Sequence, residues 1–175
     1  MAASPQIAFS VETKHPWFAV TVRTCKEQVA VQALRGKNYE CLLPTYPERR
    51  HYSDRNVLVQ RALFPGYIFC RFDPWRRLPV LTTPAVQSIV SFNKTPHPVN
   101  ESEIAALQRI VDSGVLAAPW PYLRIGKRVR IEEGPLNGVE GLLCSEKGKN
   151  RLVVSVDLLQ RSVCVEIDRY SVRPI

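Results

Sequence analysis

Residues 63–72 read LFPGYIFCRF. Pro65 cannot donate to a strand ladder and Gly66 has no Cβ to crowd it, so the pair marks a bulge or sharp bend, with a strand starting at Tyr67. Successive side chains of a strand point to opposite sides. Tyr67, Phe69 and Arg71 therefore share one face, and Ile68, Cys70 and Phe72 the other. Both faces carry bulky apolar groups. A half-exposed antiparallel strand would show one polar face, so either this strand is covered on both sides within its own domain or a partner covers one of them.

The segment just before it is strongly basic. Arg49, Arg50, His51, Arg55 and Arg61 lie within 13 positions, with Asp54 the only acid among them. Ser53, Asp54 and Asn56 are turn formers. If residues 57–60 pair back on the preceding segment, the result is a protruding hairpin with an arginine-rich tip. Arginine forks suit phosphates, and Tyr52 could stack on an exposed base; the alternative is a solvated surface loop. The whole chain leans the same way, with 24 basic against 16 acidic residues and a net charge of +8. That balance favours a polyanionic neighbour, most simply nucleic acid, over an inert basic surface.

At 175 residues the chain is long enough for one domain or two small ones. Residues 1–16 read as a disordered tail. WFAVTV at 17–22 reads as the first strand, and Thr24 with Glu27 forms a capping box for a helix. In that helix Val29 with Ala33 and Ala30 with Leu34 build an apolar stripe, and Gly36 supplies a left-handed cap. A second strand spans 39–46. Residues 74–81 give a short helix broken by Pro79, and 86–92 a further strand. Asn100 caps a third helix with Glu103 at its third position; Ile104, Leu107 and Val111 form its stripe, and Gly114 ends it. This order describes an α+β domain over 17–114, an antiparallel sheet flanked by helices. VLAAPWPYL at 115–123 reads as a linker. Strand-like segments at 129–131, 139–143, 152–156 and 163–167, separated by Gly134-Pro135, Asn137-Gly138 and Gly148-Lys149-Asn150, then predict a small β-barrel over 124–175.

Other chemistries find little support. The five cysteines are widely spaced, with no CxxC pair, and His15, His51 and His97 are far apart. They predict reduced, mostly buried thiols, no metal site and no cofactor. The sequence carries no GxSxG, HExxH or Walker loop, so no catalytic residues are expected. No window approaches the roughly 18–20 apolar residues of a membrane span, and residues 1–16 lack the apolar core of a leader, which predicts a soluble, cytoplasmic protein without a membrane partner.

The run IGKRVRIEEGPLNGVEG, residues 125–141, resembles the KOW motif. RLVVSVDLLQRSVCVEID after it resembles the rest of the KOW barrel in NusG-type transcription elongation factors, and LFPGYIF resembles that family's N-terminal signature. The resemblance spans about residues 17–175, in the family's order. It implies an NGN-like domain followed by an SH3-like KOW barrel, acting as a monomeric bacterial elongation or antitermination factor. In this family the N-terminal domain binds the clamp helices of RNA polymerase, a role that falls on Phe64, Tyr67, Phe69 and Phe92. Ile68, Cys70 and Phe72 would then face the domain's own helices while Tyr67 and Phe69 await the partner.

The resemblance further implies that the 49–61 hairpin approaches DNA of the transcription complex, and that Arg76 and Arg77 lie near the segment that reaches the opposite wall of the cleft. Leu158, Leu159 and Arg161 occupy the barrel turn through which relatives bind a ribosomal protein or Rho. Where the housekeeping factor reads Ile-Phe-Gly-Arg, this chain has Leu158-Leu159-Gln160-Arg161, which removes the aromatic contact for Rho. That change fits a specialised paralogue resembling RfaH or the UpxY antiterminators, and the β-branched residues at 153–156 favour a permanent barrel. The competing function is a ribosome- or RNA-associated KOW protein without polymerase contact.

Overall fold

Phe64, Pro65, Gly66 and Tyr67 form a type II turn: Tyr67 N donates to Phe64 O at 3.0 Å, with Gly66 at φ +81°. Proline fixes the first central position of such a turn, and the second needs a positive φ that glycine adopts freely. The computed structural model describes residues 15–51, 54–123, 126–146 and 148–175. Most of the expected N-terminal tail, Tyr52 and Ser53 lie outside the described residues.

The first half of the chain runs β1 (Trp17–Val22), α1 (Glu27–Gly36), β2 (Glu40–Leu42), β3 (Thr45–His51), β4 (Asn56–Ala62) and β5 (Tyr67–Arg71). After a single 3-10 turn at Pro74–Arg76 come α2 (Leu78–Leu81), β6 (Val86–Ile89), β7 (Ser91–Phe92), β8 (Thr95–Pro96), β9 (Pro98–Val99) and α3 (Glu101–Ser113). Strands pair in the order β2-β5-β1-β6, with β9 beside β1, and every pairing is antiparallel. The α+β class expected from the sequence is the class observed.

β5 lies inside this sheet, with both edges paired, and helices cover both of its faces. Ile68, Cys70 and Phe72 join Phe18, Val20 and Ile89 under Ala30, Val31 and Leu34 of α1 and Val80 of α2. On the other side Phe69 joins Trp17, Ala19 and Val99 beneath Ile104, Leu107 and Ile110 of α3. Burying a side chain of this size contributes about 1.5–3 kcal/mol. Arg71, at the end of the strand, is 8% exposed between Glu40 and Glu101, with its guanidinium 4.8 Å from the Trp17 ring centre. Pairing offsets the cost of burying that charge.

Several local expectations are corrected. The capping box does not form: α1 begins at Glu27 with Lys26 as its cap, and the Glu27 carboxylate instead accepts from Gly66 N at 2.9 Å. A long-range backbone donor has displaced the local one. α1 ends at Gly36, but the left-handed residue is Asn38 at φ 65°. Its buried stripe is Ala30, Val31 and Leu34, with Val29 exposed, and that of α3 is Ile104, Leu107 and Ile110, with Val111 exposed. Pro79 sits in the first turn of α2, where its missing N–H costs nothing, so it starts the helix instead of breaking it. The strand expected at 39–46 is interrupted at Leu43 and Pro44, and the one at 86–92 at Val90. Asn100 does cap α3, accepting from Ser102 N, and Gly114 closes it in the left-handed region.

The second half contains β10 (Ala117–Trp120), β11 (Lys127–Ile131), β12 (Glu140–Glu146), β13 (Lys149–Val156), β14 (Arg161–Glu166) and β15 (Val172–Pro174). They form an antiparallel six-stranded sheet in the order β10-β14-β13-β12-β11-β15, the small barrel. At Gly141 a Cβ would lie 2.5 Å from Val153 O, so only glycine permits this approach of β12 to β13. β10 lies within the segment expected to be a linker. Ala117, Ala118, Pro119 and Trp120 pair with Val165, Cys164, Val163 and Ser162, and an edge position tolerates Pro119 because an edge strand can turn one row of amides outward. Trp120 is further held by the Arg151 guanidinium, 4.7 Å from its ring centre.

Candidate functional site

The basic segment folds as a two-stranded hairpin, with β3 and β4 paired from Thr45↔Ala62 to His51↔Asn56. Its base is closed where Leu63 N donates to Pro44 O at 2.9 Å, and the type II turn then leads directly into β5. Cross-strand partners share a face, so the candidate cations divide into two sets. Arg50 and Arg61 lie on the face of Glu48, which pairs with them at 3.6 and 3.2 Å. Arg49 and His51 lie on the opposite face with Leu58, which is 61% exposed. Arg55 is exposed in the connecting loop. Among the described residues no carboxylate pairs with Arg49 or Arg55.

The aromatic residues are not displayed as the sequence predicts. Phe64 and Phe69 are buried, with their rings edge to face and centroids 5.5 Å apart; Tyr67 is half-buried. Edge-to-face packing of this kind adds about 0.5–1.5 kcal/mol to the burial itself. The expectation that Tyr67 and Phe69 form an open patch is corrected here. The apolar cluster holding Phe64 and Phe69 continues through α3 into Val129, Leu152, Val154, Val156 and Val163 of the barrel, with Tyr67, Leu158 and Leu159 packed against it. Phe92 stands apart, on the β7–β8 hairpin and 70% exposed. Arg76 and Arg77 are exposed on another segment, beside Trp75 at 93% exposure.

The barrel turn that the resemblance assigns to a second partner meets the first half of the chain here. Arg161 Nη1 donates to Pro65 O at 3.2 Å, and its guanidinium lies 4.9 Å from the centre of the Tyr67 ring. Asp157 N donates to Glu103 Oε1 at 3.3 Å, and Arg109 Nη1 donates to Asn137 O. Burial pushes the Glu103 carboxyl above the usual range; the Asp157 N–H acts against that shift and the Asp157 charge adds to it. A cleft of about 860 Å³ remains between α3 and the barrel, lined in part by Glu103, Arg109, Tyr122, Arg128 and Glu140. The domains thus meet through an apolar seam and a polar cleft.

These cross-domain contacts were outside the reach of sequence reading, which placed Tyr67 and Arg161 in separate sites. Among the described residues no group of histidines, cysteines and carboxylates is arranged to hold a metal ion, and no helix is long and apolar enough to cross a membrane.

An antiparallel α+β sheet extended by a basic hairpin is followed by a small β-barrel, a mixed α+β protein. Residues 15–108 match the family model described as "Transcription termination factor nusG", and the chain belongs to the NusG family. It is similar to the transcription termination/antitermination protein NusG of Helicobacter pylori J99, at 25% identity over 166 residues, covering 86% of this chain and 93% of the relative. The Escherichia coli K12 protein of the same name is 24% identical, with 96% of each covered. The solved structure "Domain interaction in Thermotoga maritima NusG" shares the fold at a TM-score of 0.56 and 19% identity, covering 91% of this chain and 97% of that one.

Proposed function

We propose that this chain is a bacterial transcription elongation and antitermination factor that binds the clamp helices of RNA polymerase through Phe64, Tyr67 and Phe69. Arg49, Arg50, His51, Arg55 and Arg61 hold DNA of the transcription complex, and Arg76 and Arg77, with exposed Trp75 between Pro74 and Arg76, reach toward the far wall of the cleft. The observation that carries this reading is the continuity of residues 45–71. One basic hairpin, closed at its base by the Leu63–Pro44 hydrogen bond, feeds through the Phe64–Tyr67 turn into the aromatic strand. A protein that grips helix and nucleic acid together needs those two surfaces at a fixed separation, and a shared rigid root supplies it.

The arrangement described above is closed. Tyr67 is engaged by Arg161, so polymerase must displace the barrel, and Leu158, Leu159 and Arg161 become available to a ribosomal protein only in the same step. Phe92, remote from the cluster, is a secondary contact in this reading. Titration of the full chain with purified polymerase, with Tyr67→Ala as the comparison, tests the proposal. A polymerase affinity unaffected by loss of that ring would remove β5 from the interface.

A further inference from the structure

Cys41 and Cys70 face each other across β2 and β5. They are directly paired in the antiparallel register, their sulfurs are in hydrogen-bonding contact at 3.5 Å, and both side chains are buried. Opposed Cα atoms in an antiparallel ladder are roughly 4.5–5.5 Å apart, within the ~4.4–6.8 Å that a disulfide spans. Closing the sulfurs to a bond therefore calls for side-chain rotation and not for movement of the strands. Cys25 is exposed, Cys144 half-buried and Cys164 buried; among the described residues no other two cysteines have their sulfurs in contact.

The two thiols are not equivalent. Cys70 is sealed inside the sheet, whereas Cys41 lies on the edge strand and keeps 8% of its surface. Arg35 Nη2 donates to Cys41 O at 3.1 Å, which fixes a guanidinium beside that thiol. The hydrogen-bonded contact with Cys70 holds the Cys41 thiol below its ordinary value; burial and the Glu40 charge act against this, and the Arg35 charge assists it. The same hydrogen bond, together with burial, pushes the Cys70 thiol up. The thiolate is the form that reacts, and Cys41, on the edge strand beside Arg35, is the sulfur that a reagent from solvent meets first.

We infer that Cys41 and Cys70 form a reversible dithiol–disulfide site, in which a peroxide oxidises Cys41 and Cys70 resolves the product. The Cys41 thiolate attacks one oxygen of hydrogen peroxide, the O–O bond breaks, and the leaving oxygen departs as water with the proton that the thiol gave up. Cys41 is then a sulfenic acid. The Cys70 sulfur attacks it, the S–O bond breaks, and a second water leaves carrying the Cys70 proton. Two thiols lose two electrons and the peroxide becomes two waters; a small dithiol reverses the change by exchange. The bond closes a loop from 41 to 70 that contains the whole basic hairpin and the Phe64–Tyr67 turn, pinning the root of the hairpin to β5.

The test treats the full chain with hydrogen peroxide, alkylates free thiols with iodoacetamide and digests with trypsin without reduction. Cleavage after Lys37, Arg49, Arg61 and Arg71 places the two cysteines on separate peptides, 38–49 and 62–71. The expected product is the linked pair, lighter by two hydrogens than the separate peptides, which dithiothreitol converts back to two alkylatable thiols. In Cys70→Ser, whose hydroxyl keeps a donor beside Cys41, a dimedone adduct on peptide 38–49 should replace the link. Recovery of both wild-type peptides separately alkylated, or of Cys41 carried to the sulfinic acid without any link, overturns the inference. The wild-type mapping decides the matter even if the variant does not fold.

Discussion

The guanidinium of Arg161 stacks over the ring of Tyr67, 4.9 Å from its centre, while the same side chain donates to Pro65 O. Each residue belongs to a surface that the resemblance assigns to a different partner, and in this arrangement each occupies the other. A cation–π contact at an exposed position contributes about 0.5–1 kcal/mol, and a hydrogen bond from a charged donor about 1.5–3 kcal/mol when shielded from water. Exposure of Arg161 puts its bond at or below the lower limit. The latch is therefore weak enough for a binding partner to open.

Arg161→Ala should raise affinity for clamp helices, because less binding energy is spent on opening. A loss of about 1.4 kcal/mol from the closed form raises the apparent affinity by about tenfold when the open form is the minor one. Titration of a purified clamp-helix fragment with wild type and variant reads this directly. Unchanged or weaker binding by the variant would mean that Arg161 does not hold the domains together.

Positions along β5 should respond to truncation according to their burial, whichever face they occupy. Ile68→Ala removes a fully buried side chain from the cluster under α1 and should destabilise the fold by about 2–5 kcal/mol. Phe69→Ala should cost about 3–5 kcal/mol, since its ring is equally buried. Tyr67→Ala, at a half-buried position, should cost far less in melting temperature yet weaken polymerase binding by about tenfold or more, as aromatic anchors do. A drop in melting temperature for Tyr67→Ala as large as that for Phe69→Ala would make Tyr67 a core residue and not a contact.

Local chemistry made much of this legible. The Pro65-Gly66 turn, the start of β5 at Tyr67, the alternation of its side chains, the basic hairpin and the Asn100 cap all follow from interactions within a few residues of each other. What sequence reading missed was decided at long range. Glu27 found a backbone N–H in the turn before β5, across 39 residues, so the expected capping box had no acid left to complete it. Residues 115–123 show no strand period, yet β14 supplies a free edge on which Ala117–Trp120 can pair. The aromatic face reads as open because alternation says which way a side chain points, and nothing in it says that α3 will cover Phe69 or that Arg161, some 90 residues later, will engage Tyr67.

Stability should also depend on pH through Glu103. Its carboxyl is pushed above the ordinary value of 4.5 by burial, with the Asp157 N–H opposing the shift and the Asp157 charge adding to it. A raised carboxyl means that the folded protein holds the proton more tightly than the unfolded chain does. The resulting stabilisation is complete below the unfolded value and is lost as pH rises through the folded value. The Glu103 contribution to stability should therefore grow as pH falls from neutral toward about 4.5. The Asp157 amide, which donates to Glu103, is the reporter: its NMR shift should titrate in wild type and stay flat in Glu103→Gln. A titration that persists in the variant would assign the effect to another group.

The hairpin cations should fall into two classes in DNA binding. Arg50 and Arg61 share Glu48 at 3.6 and 3.2 Å, so a phosphate must compete with a carboxylate already in place. Arg49 and Arg55 meet no such competitor among the described residues. Each phosphate contact contributes about −0.9 to the slope of log affinity against log salt on duplex DNA. Replacing Arg49 and Arg55 together with Ala should then flatten the slope by about 1.8, whereas replacing Arg50 and Arg61 should flatten it less, because those side chains are partly neutralised before DNA arrives. Glu48→Gln separates this from a simple count of charges. It leaves every arginine in place and should both tighten binding and steepen the slope, by freeing Arg50 and Arg61 for phosphate. Fluorescence anisotropy on a labelled duplex across a salt series measures all three. A Glu48→Gln slope equal to that of wild type would show that Glu48 does not restrain its neighbours, and equal losses from the two arginine pairs would show that the hairpin presents one undivided basic surface.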